Sequence, residues 1–277
     1  MTAPVKVALF QMTTGIDPVA NAAAIVSAAE RAAGEGAAMM FTPEMSGLLD
    51  RNRKRGGAHV VAEQANPVLA AVREAAERHG LWIALGSLAV ERADGRWANR
   101  SLLVSDKGEV VARYDKIHMF DVDLATGESW RESAAYAPGE EVVSVPTPIG
   151  LLGLAVCYDV RFPALFEELG RRRCDAIAIP AAFTVPTGQA HWHLMQRARA
   201  VEASAYVIAA AQVGRHEDGR ETYGHSLVID PWGDVLLDMG EELGVGFAMI
   251  DPARIAQVRA QLPSLANKRT IGNAAVA

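Results

Sequence analysis

Disulfide chemistry is the first thing this sequence lacks. Two cysteines, Cys157 and Cys174, in 277 residues cannot staple a fold, and thiols used so sparingly suit a reducing compartment. A cationic surplus is missing too: 27 Lys and Arg stand against 33 Asp and Glu, a net charge of -6. A nucleic-acid binder would instead gather basic residues into a patch. No apolar stretch approaches the roughly 20 residues that span a bilayer, and no basic leader with an apolar run precedes the first strand. Low-complexity tracts, internal repeats and Pro/Gly/Ser-rich linkers are likewise absent. These absences predict one cytoplasmic domain over 1–277, with a core at about 5–262 and a C-terminal arm at 263–277, and neither a membrane nor a nucleic acid as partner.

What is present is apolar material, 50% of the chain, enough to bury a large core. Val5 to Met12 reads as a strand. Asp17 and Pro18 then open a helix with Val19, Ala23, Val26, Ala29 and Ala33 on one face. The pattern continues with a strand at 37–42, a polar loop R-N-R-K-R at 51–55, a helix from Asn66-Pro67 to His79-Gly80, and strands at 81–88, 101–105 and 109–115. About 25 aperiodic residues follow, from Ile117 to Glu141, longer than most connections in a compact domain. Beyond them come a helix at 163–172, a strand at 175–180 and a helix at 189–204 with Leu194, Ala198, Val201 and Ala205 aligned. Strands at 206–212, 226–230, 234–238 and 245–250 and a helix at 252–262 complete the chain. Strand pairs mixed with strand–helix units fit a mixed sheet, or two stacked sheets with helices outside, better than a doubly wound parallel sheet.

Three reactive residues each stand just beyond a strand. Glu44 follows 37–42, Lys116 follows 109–115, and Cys157 ends the apolar run 151–156. Side-by-side strands with their carboxyl ends at a common mouth would bring the three together, where ligands bind in open α/β sheets. Taken alone, Cys157 is equally a small buried hydrophobe. Taken together, the set is a complete acyl-transfer site: a thiolate nucleophile, an ammonium that lowers the thiol's pKa or holds an oxyanion, and a carboxylate that moves protons.

The same residues lie in longer motifs: T-P-E-M at 42–45, Y-D-K-I-H-M-F-D at 114–121 and G-L-A-V-C-Y-D-V-R-F-P at 153–163. T-G-Q-A-H-W at 187–192, R-A-R-A-V-E at 197–202 and Y-G-H-S-L-V-I-D-P-W-G at 223–233 follow in register. With these the chain resembles the nitrilase superfamily of carbon-nitrogen hydrolases, in its Nit-type amidase branch, which includes deaminated glutathione amidases and ω-amidases. A-A-A-Q-V-G-R-H at 209–216 is more similar to the former group. The resemblance implies an α/β fold, a four-layer αββα sandwich with mixed sheets, that forms a homodimer or larger homo-oligomer and needs no cofactor or metal. It implies Glu44 as general base, Lys116 as oxyanion and orienting cation, Cys157 as nucleophile and Glu132 as a second glutamate; the Tyr158 backbone N–H is expected to join Lys116 as oxyanion donor. Glu128 heads a similar Glu-Ser pair and is the alternative to Glu132. One departure stands out: His193 follows A-H-W where related sequences commonly carry glutamate, which bears on substrate preference if the position lines the pocket.

Other readings are weaker. His191 and His193, two apart on a helix, point about 200° away from each other and cannot chelate one ion from one face. Cys157 and Arg161 lie too close in sequence for a thiol-phosphatase loop, so Arg161 reads as a partner for a carboxylate. Arg51 to Arg55 is a solvated loop or, alternatively, an attractor for an anionic substrate, and Cys174 is packing. The expected activity is hydrolysis of a small carboxylate-bearing linear amide, foremost deaminated glutathione. The alternatives are α-ketoglutaramate, an N-carbamoyl compound or a nitrile, and a scaffold role without catalysis.

Overall fold

A computed structural model of the chain describes residues 3–123, 127 and 129–269. Two mixed sheets carry it. The first runs in the order Gly244–Ile250, Val5–Gln11, Met39–Phe41, Trp82–Glu91, Trp97–Val104, Val110–Asp115, with Val61–Ala62 paired beside Trp82–Glu91. The second runs Val235–Asp238, Leu227–Ile229, Tyr206–Ala209, Ala176–Ala178, Gly150–Leu154, Ser144–Thr147. In each sheet the central pairs are parallel and the flanking pairs antiparallel, as expected when helical crossovers serve the middle and hairpins the edges.

Strand alternation explains the layering. Val7 and Leu9 join the core shared with Leu152, Leu154 and Ile177 of the second sheet. Ala8 between them joins a separate core with the helices Pro18–Gly34 and Pro67–His79. Successive side chains leave a strand on opposite faces, so the first sheet has the second on one side and helices on the other. Helices Pro163–Arg171 and Val185–Ala203 cover the second sheet through Leu165, Phe166, Leu169, Trp192 and Ala200. The result is the αββα sandwich. The first-layer helices begin where local chemistry dictates: Asp17 accepts from Val19 N, Asn66 accepts from Val68 N and Leu69 N, and proline occupies the first position of each, where its missing N–H costs nothing.

Several expectations change. In Pro18–Gly34 the buried stripe is Ala22, Ile25, Ala28, Ala29 and Ala32, and Val19 is 70% exposed. An alanine-rich helix offers several apolar stripes, and the sheet takes the one centred on Ile25. Helix Val185–Ala203 starts earlier than expected, because Pro186 is tolerated in a first turn, and it buries Trp192, Gln196, Arg199 and Ala200 while Leu194 is exposed. The R-N-R-K-R segment is no bare loop: Asn52 caps the short helix Arg53–Gly57. The segment from 117 to 141 contains the hairpin Asp121–Asp123/Ser129–Arg131 and the single turn Glu132–Ala134. A second hairpin, Val213–Arg215/Glu221–Tyr223, also escaped the pattern. Residues 270–277 of the expected arm lie outside the described residues. No helix among the described residues is long and apolar enough to cross a membrane.

Candidate active site

Glu44, Lys116 and Cys157 do converge, though not from neighbouring strands. Glu44 follows Met39–Phe41 and Lys116 follows Val110–Asp115, with two strands between them in the first sheet, whereas Cys157 belongs to the second. Its strand, Gly150–Leu154, is next to the edge rather than central and stops three residues before the cysteine. The site is therefore assembled across the sandwich, between the sheets' ends. Two close approaches make this possible. A Cβ on Gly86 would lie 2.1 Å from the Thr42 carbonyl oxygen, and one on Gly139 would lie 2.1 Å from the Asp115 carbonyl oxygen. Only glycine lets these backbones pack against the turns that carry Glu44 and Lys116.

Lys116 lies between two carboxylates. Its Nζ donates to Glu44 Oε1 at 3.0 Å and to Glu132 Oε2 at 2.8 Å. Asn99 Nδ2 donates to both acids, at 2.9 and 3.0 Å. The Ala182 N–H holds the other Glu44 oxygen at 3.0 Å and the Phe120 N–H holds Glu132 at 2.7 Å. Glu132 is thus the second acid of the cluster; Glu128 lies outside the described residues. Burial alone would depress the Lys116 ammonium, but Glu132, Glu44 and Cys157 outweigh it and hold its pKa well above the usual range. Cys157 moves upward as well, by burial first and the Glu44 carboxylate second, with Lys116 opposing. Both the burial and the neighbouring carboxylate thus favour the protonated thiol over the thiolate.

The candidate nucleophile sits on a strained turn. Cys157 has φ +48° and Met45, next to Glu44, has φ +55°, each costing about 1–3 kcal/mol for a non-glycine residue. Asp159, fully buried, braces the first of these. Its Oδ2 accepts from Val156 N at 2.9 Å and Tyr114 Oη at 2.7 Å, and its Oδ1 accepts from His118 N at 3.0 Å and meets His118 Nδ1 at 2.7 Å. Tyr114 and His118 flank Lys116, so one carboxylate ties the cysteine turn to the lysine segment. Asp159→Asn puts an amide N–H against these donors. It is expected to lower stability by about 1–3 kcal/mol and to lower kcat at little-changed KM, checked by thermal unfolding and steady-state kinetics.

The four groups floor a cavity of about 670 Å³ whose walls include Arg51, Arg53, Trp130, Tyr158, Arg161 and Phe183. Two arginines of the R-N-R-K-R segment therefore face the site, while Arg55 pairs with Asp50 at 2.6 Å. Arg161 corrects its expectation: its guanidinium lies 5.4 Å over the Phe183 ring and 5.9 Å over Tyr158, with His191 Nδ1 at 3.3 Å, and it has no carboxylate partner among the described residues. Tyr158 lines the cavity, its ring packed edge-on to Phe120 at 5.1 Å. His193 does not line it and instead meets Asp238 at 2.9 Å. Cys174 is fully buried, its thiol pushed up to about 11 by burial. Sequence reasoning missed Asn99 and Asp159. An asparagine inside a strand, where that residue is depleted, was the available signal for the first.

Residues 6–260 match the family model described as carbon-nitrogen hydrolase. The chain is 38% identical over 271 residues to a deaminated glutathione amidase of Yersinia enterocolitica, covering 97% of this chain and 94% of that one. The solved NitFhit protein of C. elegans superposes with a TM-score of 0.89 at 35% identity, covering 97% of this chain and 66% of that longer one. Nit3 of Saccharomyces cerevisiae, a member of branch 10 of the nitrilase superfamily, superposes with a TM-score of 0.85 at 27% identity over 95% of this chain and 96% of its own.

Proposed function

The chain belongs to the carbon-nitrogen hydrolase family, and from that premise we propose that it is a thiol-dependent amidase acting on a small carboxylate-bearing linear amide, with deaminated glutathione foremost. The observation that carries this reading is Lys116 held at 3.0 and 2.8 Å between Glu44 and Glu132 beside the buried thiol of Cys157. Glu44 takes the Cys157 proton as the sulfur attacks the amide carbonyl. Lys116 Nζ and the Tyr158 N–H stabilise the developing oxyanion. Glu44 returns the proton to the departing nitrogen, ammonia leaves, and a thioester remains on Cys157. Water activated by Glu44 then attacks the thioester and frees the acid. Glu132 and Asn99 hold Lys116 and Glu44 in place.

Arg51, Arg53 and Arg161 on the cavity wall support a substrate bearing carboxylates, since guanidinium is the side chain suited to bidentate recognition of them. The test is ammonia release from deaminated glutathione, α-ketoglutaramate, dicarboxylate monoamides, an N-carbamoyl amino acid and an aliphatic nitrile, for wild type and Cys157→Ser. Release from a keto-amide that disappears in the variant is expected. Silence across the amides, or activity that persists without the thiol, overturns the reading. Arg161→Ala is expected to raise KM for the carboxylated amides more than for a neutral amide.

A homodimer is part of the same proposal. Helix Val185–Ala203 and the adjoining hairpin expose Leu194, Val201, Trp232, Val235 and Leu236, large apolar side chains that a free surface tolerates singly but seldom in such number. Val201→Asp is expected to shift the sedimentation coefficient to that of a monomer.

A further inference from the structure

We propose that His193, His225 and Asp238 form a binding site for a zinc-class divalent cation, separate from the catalytic cavity. Three segments supply the donors: His193 from helix Val185–Ala203, Asp238 from the end of strand Val235–Asp238, and His225 from the turn between Tyr223 and Leu227. Their ligand atoms all lie within 4.8 Å of one another. His193 Nε2 is 2.9 Å from Asp238 Oδ2, and His225 Nδ1 is 2.9 Å from Asp238 Oδ1. Metal–ligand bonds of about 2.0 Å in tetrahedral geometry set donors roughly 3.3 Å apart, so small side-chain shifts admit an ion with an open position for water. Imidazole with carboxylate suits zinc and its first-row neighbours.

The site is built in advance. His225 has φ +55°, and its backbone is fixed on both sides: its N–H donates to the Gly240 carbonyl at 2.6 Å, and its carbonyl accepts from Trp192 Nε1 at 2.7 Å. The Tyr223 ring stacks on its imidazole at 4.4 Å, and Gly240 N steadies Asp238 Oδ1 at 2.9 Å. Without metal, each imidazole gives one N–H to one carboxylate oxygen. With metal, each ring carries its proton on the other nitrogen and presents a lone pair. The ion clasps the long helix to the turn at His225 and the strand end at Asp238; the helix adjoins the cavity through Thr187, and the turn follows Thr222, which also lies on its wall. The clasp does not depend on the amidase reading.

The experiment is calorimetric titration of Cys157→Ser protein with Zn²⁺, the reactive thiol having been removed so that it cannot take the metal, with Co²⁺ as a spectroscopic substitute. One equivalent of Zn²⁺ and visible Co²⁺ bands are expected. Adding His193→Ala, at a half-buried helix position, is expected to weaken binding by more than about tenfold, since even outer partners of a metal ligand cost that much, and to abolish the Co²⁺ bands. Asp238→Asn serves as the second variant. Absence of binding, or binding undiminished by either variant, overturns the proposal.

Discussion

Cys157→Ala is expected to reduce ammonia release by roughly ten-thousandfold or more, the scale seen when a covalent nucleophile is removed from a triad, while the protein remains folded. The stability half of that expectation comes from the turn. Cys157 occupies φ +48°, a conformation that alanine tolerates no better and no worse than cysteine. The Asp159 bonds to Val156, Tyr114 and His118 that hold the turn do not involve the sulfur. Stability is therefore expected to change by about 1 kcal/mol, measured by thermal unfolding alongside the ammonia assay. Substantial residual turnover in a folded variant would remove Cys157 from the mechanism.

Glu44→Gln is expected to separate two reactivities that usually fall together. Amide hydrolysis should drop by about 10²–10⁴-fold, the ordinary worth of a positioned general base. Alkylation of Cys157 by iodoacetamide at neutral pH should become faster. The sign follows from the charges. Burial and the Glu44 carboxylate both hold the Cys157 thiol above its ordinary value of 9.0, against the opposing pull of Lys116 and the Ala182 backbone. Removing the carboxylate leaves the ammonium unopposed by that neighbour and raises the thiolate fraction. In the wild type, by the same reasoning, the alkylation rate should still be climbing as pH passes 9.0, the ordinary thiol value. A plateau near neutrality would mean a preformed thiolate–ammonium pair and a different role for Glu44.

Sequence by itself determined the elements with strong local chemistry and the candidates for the reacting groups. Asp17-Pro18 and Asn66-Pro67 begin helices where the caps require, and short apolar runs at 5–11, 39–41 and 150–154 are strands. Glu44, Lys116 and Cys157 could be singled out in the sequence because each adjoins a strand end and each is a residue type that acyl transfer needs, whereas Glu132 was reached only through the family resemblance, with Glu128 as its alternative. What depends on long-range packing was decided only by the tertiary structure. Which stripe of an alanine-rich helix is buried is set by the sheet beneath it, so Val19 faces solvent and Ile25 does not. That Cys157 meets Glu44 and Lys116 across two sheets, rather than along one, follows from how the sandwich stacks. Asp159 and Asn99 declare themselves only through partners 45, 41 and 55 positions away. His193 is the clearest case. Its neighbour His191 is ruled out as a co-ligand by helical geometry that sequence already contains, whereas His225 and Asp238 reach it only because folding brings a turn and a strand end to one helix face.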